Sequence, residues 1–432
     1  MRLLIRNIGI LGGVQPAGRL CLRGAGMGRF ETLAGAWLLV ENGRFAAYGA
    51  GAAPVAAGAE VVDAGGGCVL PSFCDSHTHL VYAGSREAEF VDKIRGLSYA
   101  EIARRGGGIL NSADRLHGMS EEELYRQAMS RVDEIIRKGT GAVEIKSGYG
   151  LSTADELKML RVIRRVRETA PLPVVSTFLG AHAVGRGYEG RQSDYVDLVA
   201  GEMIPEVGRQ GLADYIDVFC DEGFFTPGET ARILEAAARY GLRPKIHGQE
   251  LADSGGVEVA VRHNALSVDH LERMTSRDIG LLTAQWSAAG SRLATIPTAL
   301  PGASFFLNMG YAPGRQIIDS GLPLALASDY NPGSSPSGDM KFVVSLACVK
   351  MRLTPAEALN AATLNSACAM GLSGDYGSIT EGKVANFVIT RPVPSVDYIP
   401  YAYTQPLIES VYLRGEAYRP GAGAAGANWK FA

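Results

Sequence analysis

Between residues 71 and 372 the sequence repeats one pattern: a short apolar run that ends in a polar cluster, followed by a stretch of helical spacing. Eight such runs occur: VLPSFCDSH, GAVEIKSG, VVSTFLGAH, YIDVFCD, RPKIHGQE, ALSVDHL, LATIPTAL and LPLALASD. Short apolar runs of this kind suit strands covered on both faces. The intervals carry helix signals, as in STADELKMLRVIRRVRET (152–169) and PGETARILEAAARYG (227–241). TPAEALNAATLNSA (354–367) opens with Thr354, Pro355 and Glu357, a capping box with proline at the first helical position. Eight strands alternating with helices over about 300 residues predict an α/β chain folded as a (β/α)8 TIM-like barrel, whose chemistry sits at the C-terminal strand ends. A doubly wound sheet also alternates, but no GxGxxG follows an early strand, and Arg105-Gly106-Gly107-Gly108 reads as loop.

The two ends are written differently. WLLVENGRFAAYG (37–49) is two apolar runs around an Asn-Gly turn, a strong hairpin signal. AEVVDAGGGCVLPSFCDSHTHL (59–80) rises from turn residues into a strand, and GSITEGKVANFVIT (377–390) and LIESVYLRGEAYRP (407–420) return to strand–turn–strand patterning. Both termini are therefore expected to build one small β-sandwich domain, residues 1–70 plus 373–432, beside a barrel of 71–372.

Lys and Arg total 42 against 45 for Asp and Glu, a net charge of −3, which argues against nucleic acid or an anionic membrane as partner. No apolar run approaches the ~18 to 20 residues of a membrane helix. Arg2 and Arg6 interrupt the opening MRLLIRNIGI, so no clean signal core is present and a cytoplasmic location is expected. The six cysteines form no CxxC pair and read as reduced thiols, mostly buried.

The chemistry-bearing residues gather at the run ends: His77 and His79, Lys146 and Tyr149, His182, Cys220 and Glu222, His247 and Glu250, His270, and Asp329. Five of the seven histidines stand in these places. In a strand i and i+2 face the same way, so His77 and His79 present two imidazoles to one side. With His247 and Asp329 they form a candidate site for a single Zn²⁺ or Fe ion. A second metal would call for a bridging carboxylate or a carbamylated lysine; the fourth run ends without lysine and Lys146 lies on the second, so one metal is expected, with Cys220 or Glu222 as the remaining candidates there. A metal held by three imidazoles and a carboxylate has room for a water whose pKa it lowers. Asp329, Glu250 and His270 are placed to handle protons, Asp329 doubling as ligand and base. His117 and His263 follow no strand and read as ordinary surface histidines.

PSFCDSHTHLVYAGSREAEF, EIKSGYGL, TFLGAHA, KIHGQEL, SVDHLE and ASDYNPGSSP, in this order, resemble the imidazolonepropionases, a family of the amidohydrolase superfamily in histidine degradation. The resemblance implies a small-molecule substrate, with hydrolysis of 4-imidazolone-5-propanoate to N-formimidoyl-L-glutamate at one zinc or iron per chain, and a homodimer. His77, His79, His247 and Asp329 fall on the family's metal positions. Glu250 and His270 fall on positions that handle water and ring, and Arg86, Tyr149, His182, Glu250, Asn331, Gly333 and Ser334 on substrate-binding positions. The chemistry agrees: Arg86 can pair bidentately with a propanoate carboxylate, or else form an ion pair with Glu87 or Glu89. The Asn331-Pro332-Gly333-Ser334 turn can offer N–H and hydroxyl donors to the same anion. Tyr149 and His182 can donate to ring or amide oxygens. The chain departs from the family at Val184-Gly185-Arg186-Gly187, where proline usually follows AHA, and at Asn386, where aspartate is usual.

Two other functions fit parts of this pattern. A deaminase of a cyclic amidine or nucleobase would use the same mononuclear barrel, but would have no counterpart for Arg86. A catalytically inactive barrel serving as an assembly protein would be expected to have lost metal-ligating residues that are present here.

Overall fold

The computed structural model describes residues 2–97, 101 and 107–420. The N-terminal segment contributes β1 (Arg2–Gly12), β2 (Thr32–Glu41), β3 (Arg44–Ala50), β4 (Glu60–Asp63) and β5 (Cys68–Pro71). The middle of the chain gives β6 (Phe73–Thr78), β7 (Thr140–Lys146), β8 (Val174–Ala181), β9 (Tyr215–Cys220), β10 (Arg243–Pro244), β11 (Ile246–Gly248), β12 (Ser267–His270), β13 (Ile296–Ala299) and β14 (Ala325–Leu326). The chain returns through β15 (Phe387–Thr390), β16 (Ile408–Leu413) and β17 (Glu416–Ala417).

Among the described residues the middle strands form one parallel sheet in the order β6-β7-β8-β9-β11-β12-β13-β14, with the short β10 beside β9. The sheet closes where the chain after β14 meets β6. His77 accepts from the Asp329 N–H and the His79 N–H donates to Tyr330, both at 3.0 Å. Buried Asp75 tightens the seam by accepting from the Ser328 N–H (2.9 Å) and hydroxyl (2.5 Å). This is the expected barrel; VLPSFCDSH carries the end of β5 as well as β6, and each of the other apolar runs is a single strand except RPKIHGQE. That run divides into β10 and β11 around Lys245, whose side chain is buried.

The helices begin where their signals predict. Ser152 caps Thr153–Thr169, and Thr226 with Glu229 forms a capping box on Pro227–Ala238. Thr354 and Glu357 form the third, on Pro355–Asn360. Of Arg105-Gly106-Gly107-Gly108, Arg105 and Gly106 lie outside the described residues, and Gly108 precedes the helix Ile109–His117. No helix among the described residues is long and apolar enough to cross a membrane.

The two ends of the chain share one sheet, ordered β17-β16-β15-β5-β1-β2-β3 with β4 beside β1. The Asn42-Gly43 turn joins β2 to β3 with φ of 51° and 75°, the left-handed pair a tight hairpin needs. The sheet curls on itself, because Phe45 of β3 donates its N–H to Lys383 O (2.9 Å), just before β15. An apolar core fills the curl, with Phe387 stacked on Tyr412 at 4.6 Å and 6.1 Å from Phe45. Only Ser72 separates β5 from β6, so this sheet leads straight into the barrel. Asn386 joins the two bodies: its Nδ2 donates to Gly141 O (2.7 Å) and its Oδ1 accepts from the Arg414 N–H (2.8 Å). An aspartate could make only the second of these bonds.

One N-terminal stretch behaves unlike its neighbours. Leu22, Met27 and Phe30 leave the sheet and join the barrel's apolar core at the floor, the end opposite the C-terminal strand ends. Asn365 fixes them there, accepting from the Leu22 N–H and donating to the Leu22 carbonyl, both at 2.9 Å. LCLRGAGMGRF is too sparse in apolar residues to signal this in sequence.

Candidate active site

A cavity of about 610 Å³ opens at the C-terminal ends of the barrel strands. Its wall includes His79, Arg86, Tyr149, His182, His247, Glu250, His270, Asp329, Asn331, Gly333 and Ser334, with His77 buried directly beneath. The barrel thus brings all the predicted ligand, proton-handling and substrate-binding residues to one mouth. Cys220 is buried away from the cavity and Glu222 is exposed. His117 pairs with Asp155 at 2.8 Å on the surface, and His263 lies past the end of the helix Gly256–Arg262.

Ring nitrogens of His77, His79 and His247 lie within 4.8 Å of one another, as do ligand atoms of His77, His270 and Asp329. Asp329 Oδ1 stands 3.6 Å from His77 Nε2 and 3.5 Å from His79 Nε2. Nε2 of His77 and Nε2 of His247 are fully buried and lack a hydrogen-bond partner. An unpaired buried polar atom is costly, so convergent orphan nitrogens beside a carboxylate fit a metal ion better than they fit a resting protein core. The cluster is able to hold a metal.

His77 and His79 are kept neutral, the form that ligates. Burial, with Lys146 and the other imidazoles close by, pushes His77 well below its usual range, and burial with His182 and His247 does the same to His79. Burial takes His182 down to about 3. Its Nδ1 lies 2.9 Å from the Gly148 carbonyl, which can only accept, so Nδ1 carries the proton and Nε2 is left as an acceptor. His182 Nε2 is therefore an acceptor, in contrast to the donor role expected from the sequence.

Below the imidazoles lies a layer of charge of which the sequence analysis singles out only Lys146. His77 Nδ1 is 2.7 Å from Asp269 Oδ2, and His247 Nδ1 is 2.9 Å from Asp217 Oδ2. Lys146 ties the two carboxylates together, its Nζ standing 2.8 Å from Asp217, 3.7 Å from Asp269 and 2.6 Å from Glu144. Lys245 pairs with Glu144 from the other side and donates to Ser76 O at 3.0 Å. These five side chains are fully buried. A carboxylate behind a ligating histidine sets its tautomer and ring orientation. The signal was present in sequence: each member is a charge interrupting an apolar run.

Glu250 follows β11 on a loop held by Asp221, whose Oδ2 accepts the N–H of Glu250 (2.8 Å) and of Leu251 (2.9 Å). Burial pushes Glu250 up to about 8, against the pull of His270. His270 Nδ1 lies 3.6 Å from Glu250 and 3.7 Å from Glu272. Burial opposes its charge, yet Glu250 and Glu272 together hold its pKa well above the usual value. His270 and Leu271 both take left-handed φ, 85° and 74°, a strained backbone of the kind found at functional sites.

The Asn331–Ser334 turn is more self-contained than expected. Asn331 Oδ1 accepts the N–H groups of Gly333 (2.7 Å) and Ser334 (2.8 Å), and the Ser334 hydroxyl donates to Asp329 Oδ2 (2.8 Å). The turn thus holds Asp329 in place, and its backbone donors are already engaged. After His182, Gly185 lies so near Leu151 that a Cβ would sit 2.5 Å from its carbonyl oxygen, which defines the loop where the chain departs from the family.

Residues 68–415 match the Amidohydrolase family. An imidazolonepropionase from Christiangramia forsetii is 53% identical over 417 residues, 96% of this chain and 100% of that protein. One from Flavobacterium johnsoniae is 50% identical over 96% of this chain and 99% of that protein. The chain belongs to the imidazolonepropionase family of amidohydrolases. Among solved structures, an E. coli guanine deaminase superposes with a TM-score of 0.72 at 14% identity, covering 97% of this chain and 99% of that one. A zinc-bound adenosine deaminase from Xanthomonas campestris gives 0.67 at 17% identity, covering 96% and 92%. At that identity the likeness shows the barrel fold that the family shares.

Proposed function

We propose that the chain hydrolyses the cyclic amide C–N bond of 4-imidazolone-5-propanoate to N-formimidoyl-L-glutamate, a step of histidine degradation. The observation that carries the reading is a single cavity with two chemically distinct ends: convergent imidazoles and Asp329 at its base, and the Arg86 guanidinium at its side against Gly333. The first suits a hydrolytic centre and the second a substrate carboxylate.

His77, His79, His247 and Asp329 would hold one zinc or iron per chain, which when bound supplies Lewis acidity and an activated water near neutral pH. Glu250, with its pKa raised toward neutrality, takes up and returns a proton within reach of His270. His270, held cationic between Glu250 and Glu272, donates toward the side of the ring where negative charge develops. His182 accepts a ring N–H through Nε2, and Tyr149 packs 5.4 Å from that imidazole to close the same wall. Arg86 receives the propanoate, with Asn331, Gly333 and Ser334 shaping the turn against which it lies. Deamination of a nucleobase would leave the Arg86 end without a counterpart, and an inert assembly barrel has no use for orphaned ligand nitrogens.

Six free thiols and no sustained basic excess support a cytoplasmic enzyme. Family resemblance supports a homodimer, which light scattering on the purified protein tests. The decisive experiment is metal analysis of purified protein beside an assay on 4-imidazolone-5-propanoate. Turnover that tracks one zinc or iron per chain supports the proposal. Metal-replete protein with no turnover of this substrate overturns it.

A further inference from the structure

We propose that Lys93 completes the carboxylate-binding end of the cavity, supplying the net positive charge that Arg86 by itself does not bring. The inference rests on the reading above, in which the substrate carries a propanoate.

Arg86 immediately precedes the helix Glu87–Ile94, and its side chain turns back onto it. Its Nε and Nη2 both donate to Glu89 Oε2, at 2.9 and 2.7 Å. The other oxygen of Glu89 accepts the Gly108 N–H at 3.1 Å, so the carboxylate is fixed in place and Arg86 with Glu89 is a neutral pair. The free edge of the guanidinium, Nη1, lies against Gly333, where a Cβ would come within 2.1 Å of it. The N–H groups of that turn are taken by Asn331 Oδ1. Among the described residues, an incoming carboxylate therefore meets donors on Arg86, but no surplus charge from that pair and no vacant N–H on Gly333 or Ser334.

Lys93 changes this balance. It stands one helical turn beyond Glu89, lines the same cavity, and donates from Nζ to Gly333 O at 2.9 Å. That partner is a neutral carbonyl, so the ammonium keeps its full charge and two further donors. The Phe306 ring lies 5.5 Å from Nζ and shields it from water on one side. Counting Arg86 and Lys93 against Glu89 leaves one positive charge, the complement of one carboxylate. Burial and the neighbouring guanidinium push the Lys93 amine below its ordinary range, a strain that a bound anion relieves. Gly333 is where both cations meet the turn: its missing side chain admits Arg86 and its carbonyl positions Lys93.

The test is calorimetric titration of the metal-loaded protein with 3-(imidazol-4-yl)propanoate and with unsubstituted imidazole, using wild type, Lys93→Met and Lys93→Arg. This measures the subsite whether or not the protein turns over the proposed substrate. Lys93→Met is expected to weaken the propanoate ligand roughly ten-fold or more, as loss of a charge-assisted contact does. It should leave imidazole unchanged, and Lys93→Arg should restore most of the affinity. An unaltered affinity for the propanoate ligand overturns the proposal, and so does an equal loss for both ligands, which marks a structural role through Gly333. Failure of wild type to hydrolyse 4-imidazolone-5-propanoate, with Lys93-dependent binding intact, overturns the proposed reaction and leaves this carboxylate subsite supported.

Discussion

Lys146 in the barrel and Lys383 beside the terminal sheet are both buried amines, and their surroundings treat the charge in opposite ways. Burial opposes the Lys146 charge, but Asp217, Glu144 and Asp269 outweigh it and hold the proton beyond the ordinary lysine range. Lys383 donates to a hydroxyl and a carbonyl, Ser378 Oγ (2.8 Å) and Tyr376 O (3.2 Å). With no carboxylate in contact among the described residues, burial pushes it down to about 8. The barrel interior spends desolvation on a paired charge frame behind its histidines, whereas the terminal sheet is held by apolar packing, with Ile5, Leu38 and Phe387 fully buried. Replacing a paired buried charge by apolar packing is often tolerated, but removing one partner alone is not. The frame in the barrel is thus better understood as a device for orienting His77 and His247 than as a source of stability.

Four measurements can break or sharpen that contrast. The largest effect is expected at the end of the frame: His247→Ala should lose bound metal and turnover together, metal content being read by mass spectrometry. A variant that kept both would detach the frame from the site. Glu250→Gln should retain metal while turnover falls by about 10²- to 10⁴-fold, the usual worth of a proton-handling group. Near-normal turnover would remove Glu250 from that role. Lys146→Met strands Asp217 and should destabilise the fold by about 3–5 kcal/mol while weakening metal retention, whereas Lys383→Met should stay within about 1 kcal/mol of wild type or gain stability. Denaturant melts of the two variants compare them directly, and equal losses would erase the distinction.

The smallest effect concerns pH. Lys383 has a folded pKa of about 8 against an ordinary value of 10.5, so between these values the unfolded chain binds more protons than the folded one. Stability contributed by this group therefore rises as pH climbs from 8 to 10.5 and is flat below 8. The difference in unfolding free energy between wild type and Lys383→Met should trace this rise, and a difference independent of pH would show that the amine stays charged in the fold.

Much of the site was legible because ligand-type residues fall at the ends of apolar runs. The same rule failed on the fourth run. Period-two alternation puts Asp217 and Phe219 on the inward face of β9 and turns Cys220 outward, so the last residues of the run were the wrong ones to single out. Asp269 and Lys245 carried the same signal, a charge inside an apolar strand, and were passed over for the same reason. The donor roles read for His182 and for the Asn331–Ser334 turn failed differently. Residue type says what a group can donate, but the Gly148 carbonyl and Asn331 Oδ1 had already taken those protons.

From the sequence alone come the strand–helix alternation, the helix caps, the Asn-Gly hairpin and the His-X-His pair, because each depends on residues a few positions apart. Barrel closure decided which charge meets which. Asp269 reaches His77 across 192 residues, and Lys93 reaches Gly333 across 240. The energy of a buried charge depends on the distance and identity of its partners and on the water they exclude, and none of these exists until strands remote in sequence stand side by side.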